Sequence, residues 1–208
     1  MIIAVDGPTA SGKGTIARAL AAHFGLPHLD TGLLYRAVGR QVALSGGDPD
    51  DARDAFAACT FADSLLDNPE LRSEEAGGLA SRVSVHPAVR RALYERQRTF
   101  ATQPGGAVLD GRDIGTVIAP EAELKLFVTA SVPARAERRF EEMRAAGRKV
   151  ALAEIAADLE TRDLRDSTRT DAPLRAAADA MLLDTSALNR EAAIAEAIRL
   201  VEARRHEN

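Results

Sequence analysis

The chain has 208 residues, with 31 acidic and 27 basic side chains and a formal net charge of -4. Hydrophobic residues at 46% and charged residues at 28% exclude wholesale disorder, and the length supports about one to two domains with a sizeable core. The acidic balance argues against a general nucleic-acid binder, and a single cysteine, Cys59, rules out an intrachain disulfide framework. No apolar run approaches the roughly 18 residues of a membrane span, and the N-terminus lacks a charged and apolar leader, so a cytoplasmic protein is expected. Of the 27 basic residues, 24 are arginine and only Lys13, Lys125 and Lys149 are lysine. Genome composition accounts for the average arginine. Phosphate recognition, where a rigid five-donor fork outperforms an ammonium, accounts for those that fall in motifs.

Ile2-Ile3-Ala4-Val5 is a short apolar run ending at Asp6-Gly7, as in a strand buried on both faces. From Gly12 the spacing of Ile16, Leu20 and Phe24 predicts a helix, stopped by Gly25-Leu26-Pro27. A second helix carries Leu34, Val38 and Val42 as far as Ser45-Gly46-Gly47. Residues 48–88 are rich in breakers and charges and yield no clear periodicity. Val89 and Leu93 predict an amphipathic helix over about 87–100, closed by Pro104-Gly105-Gly106. Ala107-Val108-Leu109 before Asp110, Leu124 to Val128, and Ala180 to Leu183 before Asp184 read as further strands. Between them, 133–164 is helical and dense in charge, interrupted at Gly147. Asn189 is the expected N-cap of a closing helix whose buried stripe is Ile194, Ile198 and Val201. Short apolar strands alternating with helices predict an α/β fold with a parallel sheet, and any second lobe is inserted, not appended.

Gly7-Pro8-Thr9-Ala10-Ser11-Gly12-Lys13-Gly14-Thr15 fits the pattern G-x-x-x-x-G-K between an apolar strand and a helix. In that setting the glycines let successive backbone N–H groups converge on an anion, and the helix dipole adds positive potential. Lys13 would reach the β- and γ-phosphates of a nucleoside triphosphate, and Thr15 offers a hydroxyl near Mg²⁺. Gly14 stands where GTPases have Ser or Thr, and no N-K-x-D sequence occurs, which disfavours a GTPase switch. Asp110, at a strand end, is placed to orient Mg²⁺ or its waters. Alone it would equally be an ordinary turn aspartate.

Asp6-Gly7-Pro8 leading to Gly12-Lys13-Gly14-Thr15 is followed by Leu29-Asp30-Thr31-Gly32 with Tyr35-Arg36, by Asp110-Gly111-Arg112-Asp113-Ile114-Gly115-Thr116-Val117, and by Arg162-Asp163-x-x-Asp166-x-x-Arg169. With Ala172-Pro173-Leu174, Ala178-Asp179-Ala180 and Asp184-Thr185-Ser186, this order resembles bacterial cytidylate kinases over nearly the whole chain. The resemblance implies one domain of the P-loop type, a three-layer α/β fold with a central parallel sheet. It comprises a core (about 1–36, 104–134 and 170–208), an inserted acceptor-binding lobe (about 37–103) and a short helical lid (about 135–169). It also implies ATP and Mg²⁺, with CMP or dCMP as acceptor, and a monomer without nucleic-acid or membrane partners.

Transfer between nucleotides brings several phosphates together, so convergent cations are required besides Mg²⁺. The candidates are Arg36, Arg90, Arg112, Arg135, Arg162 and Arg169. The resemblance implies that Lys13, Arg112, Arg135 and Arg162 serve catalysis and that Arg36 meets the acceptor phosphate, with Thr31 and Tyr35 beside it. Ser81, Arg112, Asp113 and Arg169 would read cytosine, with Arg90 nearby, and Asp113 would accept from the exocyclic amine, a contact that uracil refuses. Asp166, assisted by Arg162, would accept from the ribose. Arg162 and Asp166 also stand at i,i+4, the spacing of a plain helical ion pair. Arg90 is favoured over Arg91, which is assigned to solvent. The arginines at 135, 138, 139, 144 and 148 fit a lid that excludes water, although a solvated helical hairpin would carry the same pattern. Arg204, Arg205 and the four histidines receive no role, and Cys59 is expected as a buried small hydrophobe.

The sequence departs from the family pattern between Phe61 and Ser81, where the β-stranded insertion of many members looks reduced. That bears on Ser81 more than on Arg112. Kinases of UMP, AMP or shikimate, and an ATP-sensing regulatory module, are the competing readings. None of them explains the G-R-D-I-G-T-V segment.

Overall fold

A computed structural model describes residues 1–207. Five parallel strands form one sheet: β1 (Ile2–Asp6), β2 (His28–Asp30), β3 (Ala107–Gly111), β4 (Leu124–Thr129) and β5 (Met181–Asp184), in the order β2-β3-β1-β4-β5. β1 is therefore flanked by β3 and β4, and the loop that follows it leaves the carboxyl edge at the point where strand order reverses, the usual ligand crevice of such sheets. The register sets Asp6 beside Gly111 and Asp30 beside Asp110, so three acidic side chains emerge along that edge.

The helices are α1 (Lys13–Phe24), α2 (Thr31–Leu44), α3 (Ala52–Ala57), α4 (Glu74–Val83), α5 (Pro87–Ala101), α6 (Val132–Ala145), α7 (Leu152–Thr168) and α8 (Arg190–Glu207). α1 and α8 cover one face of the sheet, where Ile3, Val5, Ile16, Leu20, Leu126 and Val201 are buried together. The other face packs Ala4 and Leu109 on Ile114, Ile118 and Ala101, which completes three layers. Gly25 ends α1 in a left-handed conformation (φ 64°), and Leu26 donates back to the Ala21 carbonyl, the Schellman arrangement that glycine favours.

Several expectations are adjusted. β3 continues through Asp110 to Gly111, which makes Asp110 a strand residue. The charged span is two helices joined by residues 146–151. Asn189 caps α8 as expected, its Oδ1 accepting from Ala192 at 2.8 Å, but the buried stripe is Ala193, Ala197 and Val201. Ile194 and Ile198 are only half-buried, because small residues let the helix lie close on the sheet. The opaque stretch 48–88 is helical, with two 3₁₀ turns (Asp63–Asp67 and Pro69–Arg72), and residues 37–103 contain no strand among the described residues. Its helices start on local side-chain caps: Asp51 accepts from Arg53 and Asp54, and Ser73 from Ala76. Leu34, Val38, Val42, Val83, Val89 and Leu93 form that lobe's own core. Cys59 is half-buried at its edge, where burial raises its thiol to about 11. α6 and α7 pack through Ala136, Ile155 and Leu159. No helix among the described residues is long and apolar enough to cross a membrane.

Candidate active site

The loop after β1 turns on two left-handed residues, Ala10 (φ 62°) and Gly12 (φ 88°), a conformation that aims successive N–H groups inward at an anion. Three neighbours brace it. Arg112 Nη2 donates to Thr9 Oγ1 at 2.5 Å, Arg135 Nη1 to the Thr9 carbonyl at 3.0 Å, and Thr185 Oγ1 to the Ser11 carbonyl at 3.0 Å. Gly7 lies where a Cβ would come within 2.0 Å of the Val128 carbonyl oxygen. Lys13 opens α1, and its ammonium is lowered to about 8, chiefly by desolvation and then by Arg112, while Asp110, Asp30 and Asp166 pull the other way. A bound phosphate would favour the charged form and raise that value.

Two cavities meet at this loop. The smaller, about 220 Å³, is lined by all ten residues expected to contact the acceptor: Thr31, Tyr35, Arg36, Ser81, Arg90, Arg112, Asp113, Arg162, Asp166 and Arg169. The larger, about 620 Å³, is lined by Ala10, Ser11, Gly12, Lys13, Gly14 and Thr15, with Arg138, Leu188 and Arg190. Both share Ala10, Lys13, Gly14, Arg36 and Arg139. Gly7, Pro8 and Arg135 line neither cavity. Arg135 is buried and spans the Thr9 and Ala130 carbonyls and Asp163, so it holds the loop to α6 and α7.

Inside the smaller cavity, Asp113 accepts from Arg90 Nη2 and faces Arg169 Nη2 at 3.7 Å. Arg90 also donates to the Tyr35 hydroxyl at 3.4 Å. Arg112 Nε donates to Asp166 Oδ2 at 2.7 Å, so Arg112 ties the phosphate loop to α7. The plain i,i+4 ion pair that the spacing of Arg162 and Asp166 also allowed is not formed. Arg162 instead pairs with Asp158 at 2.9 Å and with Glu74 at 3.1 Å. Arg36 spends Nη1 on the Leu71 and Ser73 carbonyls, which leaves its other edge to the cavity. Ser81 Oγ accepts from Arg165 at 2.7 Å. The Thr31 hydroxyl donates to the Asp110 carbonyl at 2.8 Å, and Thr31 also lines the smaller cavity. Arg90 is buried and Arg91 exposed, as their spacing from Pro87 implied.

No cluster of three or more His, Cys, Asp or Glu side chains able to cage a metal occurs among the described residues. Asp110 Oδ2 instead points toward the phosphate loop, 3.5 Å from where a Cβ on Gly14 would stand, and Thr15 lines the larger cavity. This sparse donor set fits Mg²⁺, which keeps most of its waters and takes its remaining ligands from phosphates and one or two side chains.

The sequence model of the family described as cytidylate kinase matches residues 3–203. The chain belongs to the cytidylate kinase family. It is 58% identical over 205 residues to the cytidylate kinase of Xanthobacter autotrophicus, covering 99% of both chains. It is 56% identical to that of Methylocella silvestris (97% of this chain, 94% of the relative) and 54% identical to that of Brucella suis (97% and 92%). Among solved structures, an uncharacterised protein from Eubacterium ventriosum superposes with a TM-score of 0.54 at 14% identity, covering 98% of this chain and 99% of that one, a likeness of fold alone.

Within this family fold, four features escaped the sequence reading. Asp6 accepts from the backbone N–H groups of Ile114 and Gly115, both at 2.8 Å, and so fixes the single π-helical turn (Ile114–Ile118) that follows Arg112 and Asp113. Burial raises its carboxyl to about 7 despite those two donors. His28 Nε2 lies 2.7 Å from Asp110 Oδ1, although no histidine had been given a role. Asp163 partners Arg135, and Glu74 partners both Arg139 and Arg162. Asp6 could have been suspected from its place at the strand end before the loop. The ion-pair partners carry no signal in the chain, because each joins segments brought together only by folding.

Proposed function

We propose that this protein transfers the γ-phosphoryl group of ATP to the α-phosphate of CMP or dCMP, giving ADP and CDP or dCDP. The observation that carries the reading is the shared wall of the two cavities. A phosphate-loop cavity and an arginine-lined acceptor cavity meet at Lys13, Gly14, Arg36 and Arg139, where a group could pass directly between two nucleotides. The larger cavity takes the triphosphate and the smaller the monophosphate. Membership of the cytidylate kinase family supports the same pairing of substrates.

The chemistry asks little of any proton acceptor. The acceptor phosphate is already an anion, so positioning and charge neutralisation do the work. Lys13 neutralises the transferring phosphoryl group from the loop side, and Arg36, Arg139 and Arg162 approach it from the acceptor side. Arg112 keeps loop and acceptor cavity in register through Thr9 and Asp166. Mg²⁺, held by Thr15 and Asp110 directly or through water, supplies further neutralisation of the phosphate oxygens when bound. Asp113, steadied by Arg90 and Arg169, accepts from the cytosine amine, and Asp166 lies where a ribose hydroxyl can donate. Helices α6 and α7 form the lid. A monomeric cytoplasmic enzyme acting on small molecules, with no nucleic-acid or membrane partner, completes the proposal.

The test is ADP release with CMP, dCMP, UMP, AMP and GMP as acceptors. Turnover with CMP or dCMP well above all the others is expected. Equal turnover with every acceptor, or ADP release without any, would overturn the reading.

A further inference from the structure

We propose that Glu74 sets the affinity of the acceptor cavity for phosphate, by competing for the guanidinium groups that would bind it. The proposal rests on the assignment of that cavity to a nucleoside monophosphate. Glu74 is the first residue of α4, in the acceptor-binding lobe, and one carboxylate is divided between two lid helices. Its Oε2 accepts from Arg139 Nε at 2.7 Å and also from Nη2, and its Oε1 lies 3.1 Å from Arg162 Nη2. Arg139 has little donor capacity left, whereas Arg162 is held by charge pairing and its buried Nε forms no hydrogen bond. Arg139 Nη1 faces Glu142 at 3.5 Å, and Arg162 Nε faces Asp158 at 2.9 Å. Yet both guanidiniums line the acceptor cavity.

Arg36 belongs to the same cluster. The first turn of α4 approaches two of these guanidiniums closely: a Cβ on Gly77 would stand 3.2 Å from Arg162 Nη1 and 3.4 Å from Arg36 Nη2. The Arg36 guanidinium is held below its ordinary value, first by burial, with Arg139 and Arg162 acting in the same sense and Asp30 and Glu74 against it. Three like charges this close need an anion. Glu74 is that anion from within the chain, and it carries one negative charge. A phosphate dianion offers more charge and three oxygens, so it can displace the carboxylate, but only against the pairs Glu74 already makes. The same contact joins the acceptor lobe to the lid, so its exchange for phosphate also alters what holds those two segments together.

Glu74→Gln keeps the size and an acceptor oxygen but removes the charge. Calorimetric titration of the wild-type chain and this variant with CMP, cytidine and inorganic phosphate tests the proposal, with thermal melting to verify the fold. Partly exposed ion pairs are individually weak, so the expected gain is modest: CMP and phosphate bind about three- to tenfold more tightly to the variant, while cytidine affinity is unchanged. Unchanged or weaker CMP and phosphate binding would show that Glu74 merely organises the arginines, or does nothing to them, and would overturn the proposal. So would a parallel change for cytidine. A wild-type chain that fails to bind CMP, beside a variant that binds phosphate more tightly, would retain the role of Glu74 and remove the acceptor assignment.

Discussion

Lys13 and Asp113 do opposite jobs with opposite charges, and each makes a prediction of its own. Lys13 reaches into the wall shared by both cavities, so Lys13→Ala is expected to lower kcat with CMP by at least about 100-fold while leaving the melting temperature near that of the wild type. Wild-type turnover in that variant would remove the phosphate-loop assignment. Asp113 offers only acceptor oxygens to a base. Asp113→Asn places an amide N–H where the O4 of uracil can accept, so the kcat/KM ratio of CMP to UMP is expected to fall by about tenfold or more. The measurement is that ratio, and an unchanged value would take Asp113 out of base reading. Asp6 belongs to this scale as well. Its carboxyl is raised to about 7, above the ordinary 3.8, so between those values the folded chain keeps a proton that the unfolded chain has released. Stability from this group is thus present at low pH and lost as pH rises toward and through 7. Melting temperatures measured from about pH 5 to about pH 8 should fall more steeply for the wild type than for Asp6→Asn. Parallel profiles would show that Asp6 is not the titrating group.

At the scale of elements, the site is an outcome of strand order and close approach. β1 lies between β3 and β4, and its loop can follow the β4 backbone only because residue 7 has no side chain. Gly7→Ala would force a Cβ against the Val128 carbonyl, so the loop must shift. ATP affinity is expected to drop by about tenfold or more, together with a lowered melting temperature. An alanine variant with wild-type affinity and stability would contradict the close approach. The helices after β4 are braced in a comparable way: Arg135 and Asp163 join α6 to α7, and Arg135 joins both to the Thr9 carbonyl. Helices α1, α2 and α5 were legible because apolar residues recur at helical spacing between clear stops. The segment 48–88 was not, because its helices are short and begin on local caps at Asp51, Asn68 and Ser73, with too few turns to build a period. α8 misled in its detail, since its buried face is made by alanines that hydrophobic periodicity discounts.

Across the whole molecule, the ten residues expected to meet the acceptor come from α2, α4, α5, the turn after β3, α7 and its C-cap Arg169, and folding gathers all ten into one cavity. Their residue types and order were legible through the resemblance to a family. Their partners were not: Asp166 meets Arg112 instead of Arg162, and His28 meets Asp110, because such pairings are fixed by the sheet register and by helix packing, not by spacing along the chain. A net charge of -4 conceals this local arrangement. Lys13, the one lysine lining the two cavities, opens α1 at the phosphate loop, and Arg36, Arg90, Arg112, Arg139, Arg162 and Arg169 line the smaller cavity. The central claim is that a phosphoryl group crosses directly between the two cavities. It is tested most directly by incubating the chain with ATP labelled in its γ-phosphate, with and without CMP, and locating the label. The account predicts label in the β-phosphate of CDP, in a one-to-one ratio with ADP and only when CMP is present. Label released as inorganic phosphate at the same rate with or without CMP would contradict it.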